Sequence, residues 1–343
     1  MNIQNIVIVG GGSLGHVISG WLASQKYHVS VLTRHPSDWS DQLIINTPNG
    51  QISSMLNRIS DKPSEVIPDA DIILLTVPGY ANESELREIV PYLKDGSYIG
   101  AVFCSSGFFF YALEIIPENI KLWGFQRVPF ISRVERYGHE ANLLSFRDTL
   151  NIAIERASDK EKEEFRKWVE TAFHTTTILR NNYLEVTITN SNPILHTARL
   201  YTMFQDWTED MRFDHNILFY EEWTDEAADL MIKMDAELFE ILNHLPIDSN
   251  YLVPLLKYYE SHDATSLKEK LSSIKGFKGI TSPMREDEFG WYPDFNSRYF
   301  TEDFGYSLRF IWELAKKYDI NTPNIDLVYN WGKDKISRHR SYI

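Results

Sequence analysis

A histidine and an arginine lie one helical turn apart early in the second half of the chain. His196 and Arg199 follow Pro193, which either opens a helix or kinks one. Residues three apart share one face of a helix, and histidine is the side chain suited to moving protons near neutral pH. A histidine on a helix is also common as a packed or solvated residue, so this spacing alone leaves both interpretations open.

A second group of charged residues lies about a hundred positions later, between Asn296 and Tyr306. A carboxylate such as Asp303 could orient and polarise a histidine, and Arg298 could bind a substrate carboxylate through both nitrogens. Acidic residues in the first turn of a helix beginning at Thr301 would equally complement the helix dipole. The cluster therefore indicates either proton-transfer chemistry with an anionic substrate or ordinary helix stabilisation.

A glycine turn follows the first apolar strand of the chain, Ile6–Val9. Three glycines at this spacing, followed by a helical apolar pattern, let the backbone approach a pyrophosphate and direct a helix N-terminus at its charge. The predicted contacts are those of the turn and the start of the helix: Gly10, Gly12, Ser13, Leu14 and Gly15. The pattern predicts a dinucleotide site.

The end of the second predicted strand bears on which dinucleotide binds. An NAD site usually has an acid there for the ribose 2′-hydroxyl, but this chain has Thr33 and Arg34, with no carboxylate until Asp38. A guanidinium suits a 2′-phosphate, so the sequence favours NADP and leaves NAD open. Turns after the third and fourth strands are expected to face the nicotinamide half, through Val77, Pro78 and Ser105.

The elements around these residues indicate two domains. Residues 1–180 alternate strands and helices, which predicts an α/β Rossmann domain with a doubly wound, mostly parallel sheet. Residues 181–343 show helical periodicity, which predicts an all-α domain that carries the substrate and the catalytic groups. A hairpin is expected around Asn49-Gly50, a helix over Thr301–Tyr318, and an aromatic loop over Phe289–Phe295.

Composition narrows the class of protein. The formal net charge is -14 over 343 residues, which argues against a nucleic-acid or anionic membrane surface as the main partner. The only cysteine, Cys104, excludes an internal disulfide framework, and the histidines lack metal-ligand spacing. We expect a cytoplasmic protein that binds small molecules and no metal. A homodimer through an apolar helix face is left open.

The ordered motifs of the chain resemble one family, the opine dehydrogenases of the octopine/nopaline type. The resemblance rests on the glycine turn, Thr76–Ala81, Arg127–Arg133, Asn192–His196 and Arg298–Asp303. The last two are the most specific, because the family typically shows Asn-Pro-Val-x-His and Arg-Tyr-x-Thr-Glu-Asp in this order. Phe130 departs from a tyrosine usual in the family, so no hydroxyl role is expected there.

This resemblance implies a helical domain of the 6-phosphogluconate-dehydrogenase C-terminal-like type and an NAD(P)H-dependent reductive condensation. An α-keto acid and the amino group of an amino acid would form an imine, which a hydride reduces. The resemblance gives His196 the role of acid and base, and gives Asp303 the role of holding its tautomer. The residues that it implies for substrate binding are Arg298, Arg133, Arg199 and Asn192.

Two other functions stay open on the sequence alone. A ketopantoate-reductase-like or hydroxy-acid dehydrogenase would share the two-domain plan, but several such enzymes place a catalytic lysine near the start of the helical domain. No lysine occurs from Asn181 to Gln205. A non-catalytic NADP-binding sensor would keep the fold and the cofactor without turnover.

Overall fold

A computed structural model describes residues 3–339, and the chain divides into two compact units between Asn190 and Ser191. The expected boundary lies after residue 180, so residues 181–190 belong to the first unit rather than the second. The intervening segment stays with the first unit, because the Tyr183 ring packs 5.5 Å from Phe109 and its backbone N–H donates to Glu155 (2.7 Å). A short helix after Tyr183 therefore completes the first unit.

The first unit contains twelve strands and six α-helices among the described residues. Its strands are β1 (Asn5–Val9), β2 (His28–Leu32), β3 (Gln42–Thr47), β4 (Gly50–Met55), β5 (Arg58–Ser60), β6 (Ile72–Leu75), β7 (Tyr98–Ala101), β8 (Lys121–Phe125), β9 (Phe130–Arg136), β10 (Glu140–Phe146), β11 (Thr149–Glu155) and β12 (Thr176–Leu179). Its helices are α1 (Ser13–Ser24), α2 (Pro63–Val66), α3 (Gly79–Ile89), α4 (Phe108–Ile115), α5 (Asp159–Phe173) and α6 (Leu184–Thr187).

Eight of these strands form the main sheet, in the order β12-β11-β8-β7-β6-β1-β2-β5. The run from β5 to β8 is parallel and has the doubly wound order of dinucleotide-binding sheets, while β11 lies antiparallel to β8. Ile6 and Ile8 pack into one hydrophobic layer, and Val7 and Val9 pack into the other. Both faces of β1 are therefore buried, which explains its continuous apolar sequence. The predicted fold class is confirmed.

A smaller sheet of four strands, in the order β4-β3-β10-β9, covers α1. Its β3–β4 hairpin turns at Asn49-Gly50 as expected, whereas the parallel pairing of β3 with β10 was not predicted. Gly20 in α1 lets the helix approach this sheet, because a Cβ there would lie 2.5 Å from the Ile45 side chain. The small sheet therefore holds the helix that follows the glycine turn.

The second unit is helical, with one two-stranded hairpin. Its elements are α7 (Asn192–Phe204), α8 (Asp225–Asn243), α9 (Leu255–Tyr258), α10 (Ala264–Ser273), β13 (Met284–Asp287), β14 (Gly290–Pro293), a π-helix (Tyr299–Leu308), α11 (Arg309–Lys317) and α12 (Pro323–His339). The hairpin corrects the expectation of an aromatic loop over Phe289–Phe295. Its turn is Glu288-Phe289, and Gly290, which begins β14, has a φ of +129° that favours glycine.

The helix expected over Thr301–Tyr318 also differs in detail, because its first part is wound as the π-helix. Phe300 and Phe304 on this π-helix are fully buried and stacked, with ring centroids 5.5 Å apart. Gly332 of α12 makes room for Phe304, since a Cβ at that glycine would lie 2.0 Å from the ring. Glu237 of α8 accepts hydrogen bonds from the backbone N–H groups of Asn324 and Ile325 and so caps α12.

No helix within residues 3–339 has the length and apolar character needed to cross a membrane.

Candidate active site

His196 and Asp303 meet in the second unit, although 107 positions separate them in the sequence. His196 Nδ1 lies 2.9 Å from the Asp303 carboxylate, and each side chain is 16% exposed. With Nδ1–H donating to the carboxylate, Nε2 is the nitrogen left to accept or deliver a proton. We call this hydrogen-bonded pair the dyad.

The start of α7 places the histidine. The helix begins at Asn192 with Ser191 at its N-cap, so Pro193 lies in the first turn, where its missing N–H costs no hydrogen bond. Asn192 is therefore the first helical residue rather than the cap, and its side chain is exposed. His196 follows one turn later, with buried Leu195 and Thr197 on either side.

Tyr220 is a site residue that the sequence did not indicate. Its hydroxyl lies 3.3 Å from His196 Nε2, and its ring stacks on Phe277 with centroids 4.0 Å apart. Burial raises the pKa of Tyr220, so its hydroxyl stays protonated and can donate to Nε2. The Tyr299 ring meets the His196 ring edge-on at 5.1 Å. Both tyrosines fix the plane of the imidazole.

The π-helix supplies the other half of the dyad. Hydrogen bonds of a π-helix span five residues, and such segments are frequent at functional sites. Phe300 and Phe304 are buried and anchor one side of the segment. On the other side, the Tyr299 ring contacts the imidazole of His196, and Asp303 hydrogen-bonds to its Nδ1. The apolar anchors therefore hold the carboxylate in place.

The residues expected to bind substrate have different surroundings. Arg298 is exposed at the start of the π-helix, and its guanidinium has no ion-pair partner within residues 3–339. Arg133 is exposed on β9 of the first unit, where it donates to the carbonyl of Ser132 (2.8 Å). Arg298 thus belongs to the same unit as the dyad, and Arg133 does not.

Arg199 does not fit the role expected for it. Its guanidinium is buried and donates to the carbonyl oxygens of Phe219 (3.1 Å) and Glu222 (2.7 Å), over the Trp223 ring. Burial lowers the pKa of Arg199 to about 10. These contacts correct the expectation of a substrate ligand, because the side chain instead holds the segment that carries Tyr220.

The glycine turn of the first unit has the geometry of a phosphate cradle. A Cβ on Gly10 would contact Thr76 and Val77 at 2.9 Å, and one on Gly15 would lie 2.0 Å from the Gly10 carbonyl oxygen. A Cβ on Gly12 would instead meet nothing within 4 Å. Gly12 is the N-cap of α1 and has no side chain to cap the helix, so the helix N-terminus faces an open space that an anion can enter.

His16 braces this turn from the first turn of α1. Its Nδ1–H donates to the Gly12 carbonyl (2.9 Å), and its Nε2 accepts from the Gly138 N–H (2.7 Å). The ring is fully buried and stacks on Trp39 at 4.1 Å. Burial lowers the pKa of His16, which keeps the ring neutral with both nitrogens bonded. The turn is thereby tied to the small sheet, which Ser13 also contacts through the Val134 N–H.

The other expected cofactor residues lie at the carboxyl ends of the neighbouring strands. Thr33 is buried after β2, beside the Tyr137 hydroxyl, and Arg34 is exposed next to it. Pro78 precedes α3, and the Val77 side chain reaches Gly10. Ser105 follows β7 with a buried hydroxyl that has no hydrogen-bond partner among residues 3–339. The open cradle and this unpartnered hydroxyl fit a bound dinucleotide. Within residues 3–339, no group of three or more His, Cys, Asp or Glu is arranged to hold a metal.

Comparison with family models distinguishes the two parts of the chain. Residues 6–102 match the model described as ketopantoate reductase PanE/ApbA. Residues 179–336, which contain the dyad, match the alpha-helical domain of NAD/NADP octopine/nopaline dehydrogenase. The chain is therefore similar to the octopine/nopaline dehydrogenases over its helical part. The resemblance expected from the sequence motifs is thus confirmed.

Full-length relatives of the family extend this match beyond the helical unit. An opine dehydrogenase of Haliotis discus hannai is 27% identical over 97% of this chain and 90% of its own length. A tauropine dehydrogenase of Arabella iricolor is 24% identical over 96% of this chain and 90% of its own length. The solved structure of octopine dehydrogenase with NADH and L-arginine superposes with a TM-score of 0.84 at 23% identity, covering 97% of this chain and 90% of that one. The family fold therefore spans both units.

Proposed function

We propose that this protein is an opine-type dehydrogenase. It joins an α-keto acid to the amino group of an amino acid, using NAD(P)H, with residues 1–180 holding the cofactor and residues 181–343 the acid–base groups. The hydrogen bond between His196 and Asp303 carries the proposal, because such a pair suits reversible proton transfer near neutral pH. The names of the relatives, opine and tauropine dehydrogenase, support the same reaction class.

The proposed reaction balances with two proton transfers. The neutral amine adds to the ketone, the carbinolamine loses its protonated oxygen as water, and the resulting protonated imine accepts a hydride at carbon. Bound NAD(P)H supplies the hydride, and the product is a secondary amine that keeps both acid groups. Its mass equals that of the two substrates less one oxygen.

The chain's own residues move the protons. His196 Nε2 takes the proton from the substrate ammonium and later delivers it to the carbinolamine oxygen, so that water leaves. Asp303 keeps Nδ1 protonated and stabilises the imidazolium that forms between these steps. Tyr220 donates to Nε2 of the neutral ring and yields that position when substrate arrives. General acid–base transfer of this kind contributes about 100- to 10,000-fold in rate.

Arg298 is proposed to bind a substrate carboxylate. Its exposed guanidinium lies five residues before Asp303 and has no competing ion pair within the described part of the chain, and an arginine fork pairs well with a carboxylate. Asn192, exposed at the start of α7, and Arg133 of the first unit remain further candidates for substrate contact. For the cofactor, the open space at Gly12 and the buried hydroxyl of Ser105 are the features that fit a bound dinucleotide.

A simple keto-acid reductase is the second candidate, because residues 6–102 match the ketopantoate reductase model. That enzyme would oxidise NAD(P)H with the keto acid alone and form a hydroxy acid. A requirement for the amine distinguishes the two. We also propose a cytoplasmic location, supported by a need for cellular NAD(P)H, and keep a homodimer as a prediction.

The variant His196→Gln tests the proposal. We expect turnover to fall by about 100-fold or more, as for loss of a general acid and base, with the affinity for NAD(P)H unchanged in a fluorescence titration. His244→Gln is a matched control, since His244 is an exposed histidine of the same unit that bonds within its own helix. Near-normal turnover in His196→Gln would contradict the assignment.

A further inference from the structure

An ion pair joins the loop after β2 to helix α3. Arg34 Nη2 lies 3.3 Å from Glu85 Oε1, although 51 positions separate the two residues. The Glu85 side chain is 13% exposed on α3, whereas the Arg34 side chain is 74% exposed. The carboxylate is therefore the fixed member of the pair, and the guanidinium is the member that can move.

Position in the fold relates this pair to the cofactor. The residues that follow the second strand of a dinucleotide-binding sheet face the adenosine ribose, where an acid accepts the 2′-hydroxyl of NAD and an arginine pairs with the 2′-phosphate of NADP. Here that loop offers Thr33 and Arg34, and its first carboxylate, Asp38, is exposed. Glu85 brings in from α3 the carboxylate that the end of β2 lacks.

The surroundings of Glu85 give it no other evident task. Within residues 3–339, Arg34 is its only ion-pair partner, and the nearby Glu88 carboxylate repels it. Burial raises the pKa of Glu85, which means that keeping its charged carboxylate at this position costs free energy of folding. A carboxylate retained in such a place is typical of a binding role.

We propose that Arg34 and Glu85 together determine cofactor selection, with Glu85 accepting the ribose 2′-hydroxyl of NADH and Arg34 pairing with the 2′-phosphate of NADPH. The inference rests on the proposed function, because it assumes that the glycine turn binds NAD(P)H. Each charge favours one cofactor. Glu85 repels a 2′-phosphate and competes with it for the guanidinium, so the site accepts both cofactors and the balance between these residues sets the preference.

Equilibrium binding tests this assignment without turnover. Dissociation constants for NADH and NADPH are measured by fluorescence titration for the unaltered protein, Glu85→Gln and Arg34→Gln. We expect Glu85→Gln to shift the ratio of the two affinities toward NADPH, and Arg34→Gln to shift it toward NADH. Each shift should be about tenfold or more, the contribution of one charge-assisted hydrogen bond.

Glu83→Gln is the matched control, because Glu83 is another α3 carboxylate paired with an arginine, Arg87. Its ratio should stay within about twofold, since exposed pairs contribute little. Glu85→Gln should bind NADPH at least as tightly as the unaltered protein, which also reports an intact fold. An unchanged ratio of the two affinities in Glu85→Gln and Arg34→Gln, or an equal loss of affinity for both cofactors, would overturn this inference and leave the proposed function standing. Failure of the unaltered protein to bind either cofactor would overturn the proposed function as well.

Discussion

Replacing Asp303 with asparagine removes one negative charge from the dyad and keeps the size of the side chain. The imidazolium formed during the reaction then loses an attraction over about 4 Å between charge centres. At an effective dielectric of about 20 this attraction is about 4 kcal/mol, which corresponds to about a thousandfold in rate. The two side chains are 16% exposed, so solvent screens part of it. We therefore expect kcat to fall by about 30- to 1,000-fold.

The assay is steady-state oxidation of NAD(P)H with saturating keto acid and amine, together with a cofactor titration. Asp294→Asn is the matched control, because Asp294 is an ion-paired aspartate of the same unit with a 19% exposed side chain and bonds to Arg285 instead. The control should retain full turnover, and neither variant should change cofactor affinity. A loss of less than about threefold in Asp303→Asn, or an equal loss in both variants, would refute the electrostatic argument.

Four further predictions concern single residues of the two units. Gly15→Ala should unfold the glycine turn or abolish cofactor binding, whereas Gly12→Ala should keep the melting temperature and weaken only cofactor binding, because its Cβ enters open space. Since the pKa of His16 is lowered, the unfolded state binds more protons; the melting temperature should therefore fall as pH drops below about 6.5, and less so in His16→Asn. Arg199→Ala should lower the free energy of unfolding, measured in a denaturant titration, by about 3 kcal/mol, because two buried carbonyl oxygens lose their hydrogen bonds and a cavity forms. Tyr220→Phe should lower kcat by about tenfold with a changed pH–rate profile, whereas an unchanged profile would leave Tyr220 a packing role only.

Most of the main sheet was predictable from local sequence, because its central strands are short apolar runs bounded by turn residues. The edge strand β5, Arg58–Ser60, has no such run and was not predicted. The small sheet was predictable only in part. The β3–β4 hairpin follows from Asn49-Gly50, but the pairing of β3 with β10 joins segments about a hundred residues apart and has no local signal. The sequence predicts an ordinary helix where the structure has the π-helix, because apolar spacing over two or three turns does not distinguish the two windings.

The dyad was predictable because two motifs carry both of its members, but its neighbours were not. Tyr220 reaches His196 through packing against Phe277, which no spacing indicates. Arg199 was expected to bind substrate, but its guanidinium instead donates to the carbonyls of the segment before Trp223, a contact that no local spacing indicates. Glu85 contacts Arg34 only because α3 returns beside the end of β2.

The most direct test of the central claim is NAD(P)H oxidation with pyruvate or another α-keto acid, with and without a mixed pool of amino acids, followed by mass analysis of the product. We predict that oxidation requires the amino acids and that the product has the mass of the keto acid and one amino acid joined less one oxygen. Oxidation with the keto acid alone, yielding a hydroxy acid, would contradict the account and identify a simple reductase.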